Sequence, residues 1–165
     1  MKRLIFISAV SGVGKTVTCQ YIKENNLLSD YAIYDIDDLE NINNYSSDTY
    51  NLFYENAIKN AVIKSGNKNI IIGSCINLSD LKKINMPKEV DTFENILITC
   101  SNEELRKRLK ARDKSRNCSS DDYINEQIEY QNYLLKDLDL YQLHIDNTNI
   151  SISDVAYQIV NYIKK

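Results

Sequence analysis

Glycine, proline and histidine are scarce in this chain: its 165 residues hold four glycines, one proline and one histidine, and no CxxC pair joins its four cysteines. Any Ser-His or Cys-His nucleophile would therefore depend on His144 alone, and its setting in "YQLHID" reads as a strand end with a structural part. Cys19, Cys75, Cys100 and Cys118 are scattered, so metal ligation has little support and free thiols in a reducing cytoplasm are expected. No apolar run reaches the roughly 20 residues needed to cross a bilayer, and no membrane role is expected. The opening "MKRLIFISAV" is basic and then apolar, but it is too short for a signal peptide and leads into Gly-Val-Gly-Lys instead of a cleavage region. A net charge of -3 argues against a sequence-independent grip on nucleic acid. What remains is an ordinary globular composition, 43% apolar and 26% charged, expected to form one domain over residues 1–165.

Apolar runs alternate with helical patterns along the whole chain. Strands are expected at 3–10, 31–37, 69–76, 94–100 and 143–146, the third of them continuous in isoleucine as in a strand covered on both faces. Helices are expected at 16–26, 48–66, 78–84, 101–113, 119–138 and 151–165. Ser101 with Glu104 forms a capping signal for the fourth, and Ile152, Val155, Ile159 and Ile163 stripe the last. Strand and helix alternating five times predicts an α/β fold with three layers, α/β/α, around a five-stranded parallel sheet.

Half of the glycine stands in one place. Ala9 to Thr16 reads A-x-x-x-x-G-K-T, the phosphate-loop pattern with alanine at its first position, between a predicted strand and a predicted helix. The residue types suit the chemistry, because backbone N–H groups must converge on phosphate oxygens and side chains at Gly12 and Gly14 would obstruct them. The helix beginning near Lys15 points its positive end at the same anion. Ser11, Gly12, Val13, Gly14, Lys15, Thr16 and Val17 are thus the candidate nucleotide-binding residues, with Lys15 for the outer phosphates and the Thr16 hydroxyl as a Mg²⁺ ligand. Asp35 and Asp37 close the second strand on one side, where carboxylates could hold Mg²⁺ and take a proton from an attacking hydroxyl. A solvated acidic turn is the plain alternative.

With these motifs in view, the chain resembles the P-loop kinases of small molecules and nucleotides: shikimate kinase, gluconate kinase, adenylate kinase and chloramphenicol phosphotransferase. The likeness extends over essentially the full length and implies the nucleotide-kinase type of P-loop NTPase fold. Asp35-Ile-Asp37 is similar to the D-x-D of the shikimate and gluconate kinases, which implies metal support by Asp35 and substrate contact by Asp37. Gly73 and Ser74 stand where those enzymes border the acceptor pocket. One glycine is present where shikimate kinase has several, and no counterpart of its substrate-binding arginines is recognisable. Arg108 and Arg112, four apart with Arg116 beyond, resemble the arginine signature before the lid, although a solvated basic helix face would read alike. The resemblance implies Arg108 beside the adenine, Arg112 and Arg116 on the transferring phosphate, and residues 113–120 as a short lid. It also places Asn147 in a loop near the adenine ring. Val17 departs from the hydroxyl that related kinases often carry there.

The resemblance thus implies an ATP- and Mg²⁺-dependent transferase acting on a hydroxyl or phosphate of a nucleoside-, nucleotide- or sugar-like small molecule. The catalytic candidates are Lys15, Asp37, Arg112 and Arg116, and the segment 39–65, rich in Tyr and Asn, would cover the acceptor or simply pack as a helix. The alternative is a nucleotide-binding sensor without turnover. A monomer or homodimer in the cytoplasm is expected.

Overall fold

Ile70, Ile71 and Ile72 are all fully buried. Successive side chains of a strand point to opposite faces, so three buried in a row require helices on both sides of the sheet. The computed structural model describes residues 1–112 and 114–165, with the side chain of Arg116 also outside the description. Its strands are β1 (Lys2–Ser8), β2 (Tyr31–Asp35), β3 (Asn69–Ser74), β4 (Val90–Thr99) and β5 (Leu143–Asp146). They form one parallel sheet in the order β2-β3-β1-β4-β5. The chain leaves β1, crosses beyond β3 to build β2, and later crosses to the other side for β4. A crevice therefore opens beyond the carboxyl end of β1, where the connections part.

The α-helices are α1 (Lys15–Glu24), α2 (Tyr50–Lys64), α3 (Leu78–Leu81), α4 (Asn102–Lys110), α5 (Asp121–Leu135) and α6 (Ile152–Ile163). α1 packs on α6, and α4 on α5. Serine hydroxyls cap three of them: Ser101, Ser120 and Ser151 each accept a backbone N–H from three residues on. No helix of the described residues is long and apolar enough to cross a membrane.

Several expected bounds move: the strands expected at 3–10 and 69–76 end at Ser8 and Ser74, the helix expected at 78–84 ends at Leu81, and three further differences have a local cause. β4 begins at Val90, four residues before the predicted start, because Asp91, Thr92 and Phe93 are exposed and hide the strand from a search for apolar runs. β2 stops at Asp35, short of the predicted 37. The Asp35 carboxylate accepts the Asp37 N–H at 3.2 Å and closes a 3₁₀ turn over Ile36–Asp38. Asp37 therefore sits on a turn and not on the strand. Along α6, Val155, Ile159 and Ile163 are buried as expected but Ile152, in the first turn, is exposed.

At the end of the sheet opposite the crevice, Arg3 ties four elements together. Its Nε and Nη2 donate to the two Glu94 oxygens at 2.6 and 2.9 Å, and Nη1 donates to the Ile163 carbonyl at 2.9 Å and to the Tyr31 hydroxyl at 3.3 Å. Tyr162 donates to Glu94 as well. These bonds hold the Glu94 carboxyl below its ordinary value of 4.5. A depressed carboxylate adds stability that is fully present above the unfolded value and is lost as pH falls through the folded one. Glu94→Gln is accordingly expected to lower the melting temperature at pH 7, with the gap to wild type narrowing below pH 4.5; a gap that stays constant on further acidification would contradict this.

Candidate functional site

The loop from β1 to α1 is shaped by its glycines. Gly12 and Gly14 have φ of 92° and 108°, a region that disfavours L side chains. Gly12 has a second reason that the phosphate argument did not supply. A Cβ there would lie 2.7 Å from Cδ2 of the fully buried Leu109, so the loop passes directly beneath α4. At Gly14 the nearest atoms stand off at 3.6 Å, and backbone conformation alone sets the requirement.

Side chains from distant elements fix this bend. The Val13 carbonyl accepts from Asn147 Nδ2 at 2.7 Å and from Arg108 Nη1 at 3.0 Å. Arg108 also donates to Asn147 Oδ1 at 3.0 Å and pairs with Glu104 at 2.8 Å. The Ser11 N–H donates to Gln127 Oε1 at 3.0 Å, and Ser11 Oγ accepts from Arg112 Nη1 at 3.0 Å. So tethered, the loop turns once on itself, Val13 N–H donating to the Val10 carbonyl at 3.5 Å, and leaves other amides open. Among the described residues the Gly12 and Gly14 amides donate to nothing. The Lys15, Thr16 and Val17 amides begin a helix whose first internal bond is Thr18 N–H to the Gly14 carbonyl. Unlike α4, α5 and α6, α1 has neither a side-chain cap nor an acidic residue in its first turn. Open amides at the positive end of a helix are what an anion requires.

The β2–β3 register sets Asp35 beside Gly73, and a Cβ on Gly73 would meet the Lys15 stem at 3.4 Å. Thr16 Oγ1 donates to Asp35 Oδ2 at 3.0 Å, joining the loop to the acidic strand end, and Lys15 Nζ reaches Cys75 Sγ at 3.4 Å. Asp37 lies within the field of Asp35 and Lys15. Partial burial first, then the neighbouring Asp35 charge, raise its pKa above the ordinary 3.8, with Lys15 opposing. A hydroxyl and a carboxylate oxygen facing each other, as at Thr16 and Asp35, suit a hard cation such as Mg²⁺.

On the other side of the loop is a cavity of about 410 Å³ lined by Gly12, Val13, Val17, Arg108, Arg112 and Asn147, with Ile150, Ile152 and Val155 completing its apolar wall. Val17 and Ile152, both exposed and apolar, find their place here.

The structure thus gathers Ser11, Gly12, Val13, Gly14, Lys15, Thr16, Asp35, Asp37 and Gly73 around one loop, with Arg108, Arg112, Val17 and Asn147 on its flank. Arg108 is committed to the Val13 carbonyl and Asn147 while lining the cavity. Ser74 is not brought to a surface: it is fully buried, with Oγ accepting the Ile76 N–H at 3.2 Å and its carbonyl accepting the Ala9 N–H. The Arg116 side chain and Asp113, at the head of the expected lid, lie outside the described residues. His144 bonds Thr99 Oγ1 at 2.8 Å across β4 and β5, a contact within the sheet. Sequence reasoning missed Gln127, which reaches the loop from 116 positions away and has no local signal. It also missed Cys75 and Tyr130, whose hydroxyl donates to the Cys75 carbonyl at 2.6 Å.

This sheet order with a glycine loop behind its central strand defines a P-loop NTPase fold of the kinase type. A family model described as "AAA domain" matches residues 5–132, and the chain belongs to that family. No curated protein matches it. Solved structures of the same fold include a gluconokinase from Sinorhizobium meliloti 1021, at TM-score 0.64 and 14% identity, covering 97% of this chain and 90% of that one. Shikimate kinase from Bacteroides thetaiotaomicron aligns at TM-score 0.62 and 14% identity over 98% of both chains. An uncharacterized protein from Eubacterium ventriosum aligns at TM-score 0.58 and 14% identity over 99% of both. At such identity the likeness is one of fold.

Gly12→Ala combines a disfavoured φ with a wedge against Leu109 and is expected to cost roughly 1–3 kcal/mol of stability. Gly66 is also at positive φ, but nothing lies within 4 Å of the place its Cβ would take. It is therefore the control, and Gly66→Ala should cost about 1 kcal/mol. Denaturant unfolding separates the two. Equal losses would contradict the packing of α4 on the loop.

Proposed function

We propose that the protein is an ATP- and Mg²⁺-dependent phosphotransferase that moves a phosphoryl group to a small-molecule hydroxyl. One observation carries the reading: Thr16 bonds Asp35 at 3.0 Å beside open loop amides, with Asp37 in the field of both Asp35 and Lys15. A binding module has no use for a second carboxylate there, whereas a transferase does.

In this reading the amides of Gly12 and of Gly14 to Val17 receive the phosphate oxygens, and Lys15 turns from Cys75 to neutralise charge on the group being transferred. Arg112, which reaches Ser11 at the loop's edge, supplies a second cation. The apolar cavity between Val17, Ile150 and Ile152 takes the nucleobase, and Arg108 and Asn147 border it. Thr16 and Asp35 would hold Mg²⁺, which when bound offsets phosphate charge. Asp37, its pKa raised, accepts the acceptor's hydroxyl proton, and Gly73 keeps the floor low enough for Lys15 to cross. The fold relatives named kinases support phosphoryl transfer as the chemistry.

Lys15→Ala is the direct test. Phosphoryl transfer from ATP, read across a panel of acceptors, should fall by about a hundredfold or more; transfer that survives unchanged would refute the proposal. Asp37→Asn should lower transfer to a similar degree, about a hundredfold or more. In the absence of ligand it has the opposite effect on stability. A carboxyl with a raised folded pKa binds its proton more tightly when folded, so its ionised form at pH 7 opposes folding. Asp37→Asn should therefore raise the melting temperature at pH 7, and a clear drop would contradict the account of that carboxylate.

A further inference from the structure

The acceptor must approach Asp37 from the side opposite the nucleobase cavity, and that side is built from three stretches of chain. The turn after β2 leads into α2, the exit of β3 leads into α3, and α5 lies across both. Their meeting point is fixed by contacts. Lys15 Nζ reaches Cys75 Sγ, the Tyr130 hydroxyl donates to the Cys75 carbonyl, and Asn77 Nδ2 donates to Asp80 at 2.8 Å and to the Tyr130 hydroxyl at 3.4 Å. Tyr54, half-buried, has Tyr130, Cys75, Asp80 and Tyr50 as its electrostatic neighbours. No described group accepts from or donates to its hydroxyl, which leaves a phenol free to face a ligand.

Charge along these stretches is one-sided. Residues 36–58, 69–81 and 117–135 contain ten Asp and Glu and no Lys or Arg, in a chain that carries 20 basic residues elsewhere. The cations that border this side are already engaged: Lys15 grows from the phosphate loop and Arg112 donates to Ser11, while Lys64 donates to the Asp38 carbonyl at 3.3 Å and Lys83 pairs with Asp80 at 3.5 Å. A carboxylate or phosphate on the acceptor would enter a region where carboxylates outnumber cations and the lysines at its border already hold Asp38 and Asp80. A protonated amine would find the reverse, with carboxylates and the faces of Tyr50, Tyr54 and Tyr130 to receive it.

Resting on the phosphotransferase reading, we propose that the acceptor is an alcohol without carboxylate or phosphate, and that an amine on it favours binding. Asp37 takes the proton of the attacking hydroxyl, the new bond joins that oxygen to the γ-phosphorus, and the β–γ bridge bond breaks to leave ADP.

The experiment compares four acceptors of similar size, a neutral sugar or nucleoside, an amino sugar, a sugar acid and a nucleoside monophosphate, by kcat/KM with Mg-ATP at low and high salt. The amino sugar and the neutral acceptor should exceed both anions by about tenfold or more, and the lead of the amino sugar over the neutral one should shrink in high salt. Preference for the sugar acid or the monophosphate overturns this inference and leaves phosphoryl transfer standing. A protein that binds ATP yet phosphorylates none of the four overturns the inference together with the reading beneath it.

Discussion

The Val13 carbonyl, held by Asn147 and Arg108, is the anchor on which the site depends. A glycine-rich bend with open amides is entropically costly and would close on itself if left alone. Here four side chains, from α4 and the turn that follows it, from α5 and from the loop after β5, grip the outer edge of the bend at Ser11 and Val13. The inner edge is thereby left without partners. Gly12 completes the arrangement from below by letting α4 settle against the loop at Leu109. Preorganisation of this kind places the cost in the fold, so that an anion meets donors already aimed at it.

A similar division of charge runs through the acidic side. Asp35, Asp37 and Asp38 crowd one turn, with Lys15 opposing the raised pKa of Asp37, and the unliganded protein carries that repulsion. The staple of Arg3, Glu94 and Tyr162 stands at the far end of the sheet, where no ligand is expected and ion pairing can be optimised for stability. Stability and chemistry thus occupy opposite ends of the same strands.

Much of this was legible in the sequence. Continuous Ile70–Ile72 announced a doubly covered strand, Ser101 with Glu104 announced a helix start, and A-x-x-x-x-G-K-T announced the bend. What could not be read has physical causes. Asp35 captures the Asp37 amide through its own side chain, so a periodic strand pattern carried through residue 37 although the backbone turns at 36. Asp91, Thr92 and Phe93 near the start of β4 are exposed, and periodicity is blind to a strand whose apolar contrast is missing. Ser74 stood at the right sequence position for the acceptor but is drawn inward by its bond to the Ile76 amide. Gln127 joins the loop from α5, a contact that depends on tertiary packing and leaves no trace in spacing.

The central claim is that the amides of the bend are donors waiting for a triphosphate. The most direct measurement is the backbone amide NMR spectrum of the protein as Mg²⁺ and a non-hydrolysable ATP analogue are added. The account predicts that the Gly12, Gly14, Lys15 and Thr16 N–H resonances shift furthest downfield, while those of Glu94 and Arg3 stay in place. Shifts concentrated elsewhere, with those four amides unmoved at saturating nucleotide, would contradict it.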